Sequence, residues 1–113
     1  MEAAFRRVNK IAASMGLEGL EQGTSYGTPA LKAGGKLLVR VKDAETLVFM
    51  CPYDEKAMLM QAAPAVFFET PHYTGYPAVL LHLRAASDKT IAARIEAAYR
   101  MQAAKQRPKR RGA

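Results

Sequence analysis

Between residues 20 and 50 the apolar residues come in four short, partly alternating stretches, 20–26, 30–33, 36–41 and 46–50, punctuated by glycine. Short runs of period two read as strands, and the few residues left between them have room only for tight connections. Gly34-Gly35 suits a hairpin turn, because glycine accepts the positive φ that primed turns need, and Asp43-Ala44-Glu45 closes the next hairpin. In the third stretch Leu37, Val39 and Val41 share one face, whereas Lys36, Leu38, Arg40 and Lys42 share the other. One face is therefore core and the other partly wet. The side taken by Lys32 depends on register. A loop of two glycines puts it with Leu37 and Val39, and a bulged loop puts it with Arg40, so a basic stripe of Lys32, Lys36 and Arg40 is conditional on that choice.

Helical periods bracket and interrupt these strands. Phe5, Val8, Ile11, Ala12 and Met15 recur at three- and four-residue spacing before Gly16, which predicts an amphipathic helix over 2–15 with a solvated basic face. After Cys51-Pro52 the helical period returns over 53–63, opened by Asp54 and Glu55 and closed by Pro64, with its methionines read as core filler. Two more strands follow, 66–69 and 78–84, and His82 on the second is read as structural. Ser87 then caps a last helix over 88–104, whose buried stripe is Ile91, Ile95, Ala98 and Tyr99. The expectation is one α+β domain, residues 1–104, with a largely antiparallel sheet and N-terminal, inserted and C-terminal helices.

A chain of 113 residues fits one domain. Its net charge of +7 looks like a nucleic-acid signature until the charges are located. Five of the 17 basic residues, Lys105, Arg107, Lys109, Arg110 and Arg111, fall after residue 104 with no acid among them, which leaves 12 bases against 10 acids before it. Residues 105–113 therefore read as a basic, disordered tail. One cysteine, Cys51, allows no internal disulfide, so a reducing cytoplasm is expected. The longest apolar stretch, 57–68, is broken by Gln61 and Pro64 and is too short for a bilayer, so neither a signal peptide nor a membrane association is expected.

Chemistry-bearing residues gather at two turns rich in glycine, proline and tyrosine: Thr24-Ser25-Tyr26-Gly27-Thr28-Pro29 and Thr70-Pro71-His72-Tyr73-Thr74-Gly75-Tyr76-Pro77. Rings in such turns either pin the turn to the core or stand free to stack, and Tyr73 has little apolar context in its sequence neighbourhood. His72 is equally a solvated turn residue or a partner for a base or phosphate. Cys51 lacks a nearby base and reads as a buried, inert thiol. Two isolated histidines and one cysteine do not make a metal site, and the chain carries no phosphate loop and no nucleophile elbow. No cofactor and no enzymatic activity are expected.

Three separated motifs, residues 23–32, Gly35-Lys36-Leu37 and residues 67–77, resemble the MmcQ/YjbR-like family. The resemblance runs from the first helix to the last. It implies a small bacterial α+β protein of α-β4-α-β2-α order, for whose family a double-wing DNA-binding role is proposed, and it transfers no catalytic residue. On that basis Lys32, Lys36, Arg40, Lys42, His72, Tyr73, Tyr76, Arg84, Lys109, Arg110 and Arg111 are candidate nucleic-acid contacts, with His72 and Tyr73 stacking while Lys36 and Arg40 meet phosphate. The alternative is a protein-interaction module whose tyrosine tips bind a partner.

Overall fold

The computed structural model describes residues 1–106, with side chains to Ala104. In chain order it contains α1 (Glu2–Ala13), β1 (Leu20–Ser25), β2 (Thr28–Ala33), β3 (Lys36–Asp43), β4 (Thr46–Met50), α2 (Tyr53–Ala62), β5 (Phe67–Phe68), β6 (Ala78–His82) and α3 (Asp88–Gln106). Two 3₁₀ turns, Pro71–Tyr73 and Leu83–Ala85, flank β6. The six strands form one sheet in the order β1-β2-β3-β4-β6-β5, and every neighbouring pair is antiparallel. The expected α+β class and helix order are therefore present. Helix α3 runs two residues past its expected end, and residues 107–113 of the expected tail lie outside the described residues.

Helices α1 and α3 cover one face of the sheet. Val8 and Ala12 of α1 and Ile91, Ile95 and Ala98 of α3 bury their stripes against Leu31, Val39, Val41, Leu47, Phe49, Val79 and Leu81. Ser87 caps α3 as its position predicts, its hydroxyl accepting from the Thr90 amide at 3.1 Å. Of the α2 methionines read as core filler, Met60 packs against the core and Met58 does not. Met58 faces solvent, Leu59 and Met60 pack against the core at its edge and Lys56 is the buried residue of the helix, because α2 sits at the end of the sheet against β5 and β6 rather than across it.

The face assignment of β3 is corrected by a bulge. Lys32 pairs with Leu37 and Leu31 with Val39, which leaves Leu38 as the extra residue. Leu37 consequently moves to the face of Arg40, while Leu38, expected on that face, turns into the core. The loop is nonetheless the two glycines alone, since Ala33 pairs with Lys36. Lys32 therefore lies on the same face as both Leu37 and Arg40, whereas Lys36 follows Ala33 to the helix-covered side. The conditional stripe of three cations does not form.

A bulge breaks the ladder, and α3 repairs it: buried Gln102 donates through Nε2 to the Leu37 carbonyl at 2.7 Å. Gln102→Ala strands that carbonyl and is expected to cost about 1–2 kcal/mol. Chemical denaturation followed by circular dichroism measures it; an unchanged midpoint shows the carbonyl has another donor in the variant.

Candidate functional site

The sheet's second face carries no long helix, and one row of directly paired residues crosses all six strands there: Gly23, Ala30, Arg40, Val48, Leu80 and Phe68. Five of these are small or apolar. Arg40 stands at a position where the row by itself calls for another apolar residue.

What covers this face is the segment after β5. The Pro71–Tyr73 turn is closed by the Tyr73 amide donating to the Thr70 carbonyl at 2.8 Å, and it folds back over β4 and β6 instead of projecting. Tyr73 is only 5 % exposed and packs with Val48, Ala78 and Leu80, with Met50 and Phe68 at the edge. The expectation of a free ring at Tyr73 is therefore corrected: β4, earlier in the chain, and the two strands that flank the turn supply the apolar surroundings that its immediate neighbours lack. His72 is exposed and sets its ring edge-on to Tyr73, with centroids 4.9 Å apart. Tyr76 is 47 % exposed and meets Tyr73 edge to face at 5.9 Å.

A buried cation holds this segment down. Lys56 of α2, 4 % exposed, donates through Nζ to the carbonyls of Tyr73 at 2.8 Å and Tyr76 at 2.9 Å, and pairs with Glu69 Oε1 at 2.8 Å. The hydrogen bond from Lys56 holds the Glu69 carboxyl below its ordinary value. Tyr53 adds a second tie from α2, its hydroxyl donating to the Gly75 carbonyl at 3.0 Å.

The first tip arrives from the opposite side. Ser25 pairs with Thr28, so the connection, expected over 27–29, is a two-residue turn of Tyr26 and Gly27, at φ 53° and 77°. Both residues are left-handed, the requirement of a primed hairpin turn, and a large aromatic rarely accepts it. The Tyr26 ring is 75 % exposed and lies over the Arg40 guanidinium, 5.3 Å from ring centroid to Cζ.

Between the tips lies a hollow of about 320 Å³, at the lower end of small-ligand sites. Tyr26, Leu37, Arg40, Met50, Tyr73 and Tyr76 are among its walls. Arg40 Nη1 donates to Thr28 Oγ1 at 2.9 Å and Nη2 to the Tyr73 hydroxyl at 3.0 Å. Nε is buried without a hydrogen-bond partner. Of a guanidinium's five N–H groups, two are thus spent on neutral hydroxyls, and no ion pair of the described residues reaches Arg40.

The structure brings Arg40, Tyr73 and Tyr76 together, with His72 at the margin. Lys32 shares their face, its stem crossing Gly23, where a Cβ would come 3.8 Å from Cε. Lys36 is on the other face, Lys42 is the extra residue of a second bulge with its Nζ 4.0 Å from the carboxylate of its neighbour Asp43, and Arg84 is exposed on the turn after β6. Lys109, Arg110 and Arg111 lie outside the described residues. Two participants are missing from the candidate contacts: Tyr26, although its turn is one of the two tips singled out from the sequence, and Lys56. Tyr26 has its signal in a tyrosine directly before a glycine; Lys56 has no local one.

Burial pushes the Cys51 thiol up to about 11, against the opposing pull of Arg94, which keeps it protonated at neutral pH. No group of three or more metal-binding side chains occurs among the described residues, and no helix there is long and apolar enough to cross a membrane. A family model described as YjbR matches residues 15–101. No curated protein and no solved structure matches the chain.

Proposed function

The chain belongs to the YjbR family, and from that premise we propose that it binds nucleic acid without transforming it, through the hollow between its two tyrosine tips. The observation that carries this reading is Arg40, a cation set into an apolar row of the sheet whose partners among the described residues are neutral. Keeping such a group half-buried costs stability, and an anionic ligand offsets that cost by answering its unspent N–H groups. Exposed rings at Tyr26 and Tyr76 supply faces for bases, and Lys32 on the same face adds a second positive charge for the backbone. Binding rather than catalysis fits the chemistry of the walls, which offer a guanidinium and phenols, while the single thiol is buried and protonated.

Titration of the full chain with labelled DNA over a range of salt concentrations tests the reading. Affinity is expected to fall steeply as salt rises, because each phosphate contact releases counterions. Removing residues 107–113 deletes four of the seven net charges, so the slope of log K against log salt should drop by up to about four contacts while the melting temperature stays put. Salt-independent binding, or none at all, overturns the reading and passes the tips to a protein partner.

A further inference from the structure

The hollow's shape and chemistry narrow the ligand further. Resting on the nucleic-acid reading, we propose that the site takes an unpaired nucleotide, its base lying on the Tyr26 and Tyr76 rings and its phosphate on Arg40. The cation decides the first half of this. Arg40 is reached from within a hollow walled by rings, not from a raised basic surface. A duplex presents its phosphates on a convex rim and keeps the faces of its bases stacked on one another, so it offers the rings nothing. A single strand or a flipped-out nucleotide brings a free π-face and a phosphate on one flexible unit. The walls agree: apart from Arg40 they are mostly rings and apolar side chains, suited to stacking and poor in groups that would read base edges.

Tyr26 supplies an independent observation. The residue occupies a left-handed turn position that asparagine or glycine fills without strain, and its ring is left largely in water. Buried packing does not account for a tyrosine there. What the ring does have is a place over the Arg40 guanidinium at the mouth of the hollow, where a second planar group can lie against it.

The test uses fluorescence anisotropy on the full chain, with a short labelled oligothymidylate and a duplex of equal length at matched salt. The single strand is expected to bind at least ten-fold more tightly. Tyr26→Asn relieves the turn and removes the ring, so it should raise the melting temperature and weaken single-strand binding about ten-fold, two changes that a purely structural role would not combine. Tyr76→Ala should give a similar loss of binding with the far-ultraviolet circular dichroism unchanged. If duplex and single strand bind alike and neither ring substitution matters, the unpaired-nucleotide inference is overturned while nucleic-acid binding stands. If neither DNA binds at low salt, both fall.

Discussion

Lys56→Met is expected to unfold the protein at a temperature roughly 10–15 °C lower, for a loss of about 3 kcal/mol. Methionine keeps the length and apolar bulk of the lysine stem, so packing is nearly conserved and the polar contacts are what is lost. Two carbonyls, of Tyr73 and Tyr76, then sit over α2 without their donor, and Glu69 loses its cation. Stranded carbonyls cost about 1–3 kcal/mol each when water does not reach them. Glu69 is the least affected of the three partners because it is partly open to solvent and rehydrates. The damage should be local before it is global: amide exchange is expected to accelerate first at residues 70–77, two of whose carbonyls the ammonium gathers. An unchanged melting temperature would mean that the Tyr73 ring and the Tyr53 tie anchor the segment without Lys56.

Acid should reproduce part of this effect. The Glu69 carboxyl titrates below its ordinary value in the folded protein because Lys56 bonds to its charged form. Its contribution to stability is therefore complete above the unfolded value, about 4.5, and is lost as pH falls through the lowered native value. Lys56→Met should abolish that portion of the acid dependence. The linkage matters for the site because the atoms held by Lys56 belong to Tyr73 and Tyr76, so positioning of the hollow's walls and stability of the fold depend on one side chain.

Legibility in the sequence stops where tertiary pairing starts. Periods of two and of 3.6 are local properties, which is why the strands and all three helices lie close to their predicted positions. Leu37-Leu38-Val39 shows the limit. Three adjacent apolar residues permit either face, and only the pairing of Lys32 with Leu37 and of Leu31 with Val39 fixes where the bulge falls. That one shift separates Lys36 from Arg40. Tyr73 is a similar case, since the residues that bury it come from β4 and β6 and its own turn gives no hint of them. Lys56 is the most consequential residue without a local mark: a lysine on a short helix usually faces water, and this one is turned inward by carbonyls about twenty residues away. Arg40, by contrast, is placed by alternation on the face away from the core, although alternation puts Lys36 and Lys42 there with it and only the bulge sets Lys36 apart.

Arg40→Met is expected to separate binding from folding. The substitution completes the apolar row of Ala30, Val48 and Leu80, and it removes a half-buried cation whose hydrogen-bond partners among the described residues are two hydroxyls, with the Tyr26 ring over it. Replacing a poorly compensated charge by an apolar group of similar length is often neutral or better for stability. Against this stands the Tyr73 hydroxyl, which loses its donor, so the net change in stability should stay within about 1 kcal/mol. Binding should respond differently. Losing the charge-assisted bonds to a phosphate is expected to cost about 1.5–3 kcal/mol of affinity, ten-fold or more, and to lower the salt slope by about one. Arg40→Lys distinguishes charge from shape: it should retain the salt slope yet recover only part of the affinity, because an ammonium cannot bond Thr28, Tyr73 and a phosphate in the planar fork that the guanidinium provides. If Arg40→Met instead binds as before and melts several degrees lower, Arg40 is a structural tie between Thr28 and Tyr73, and the hollow is not where nucleic acid sits.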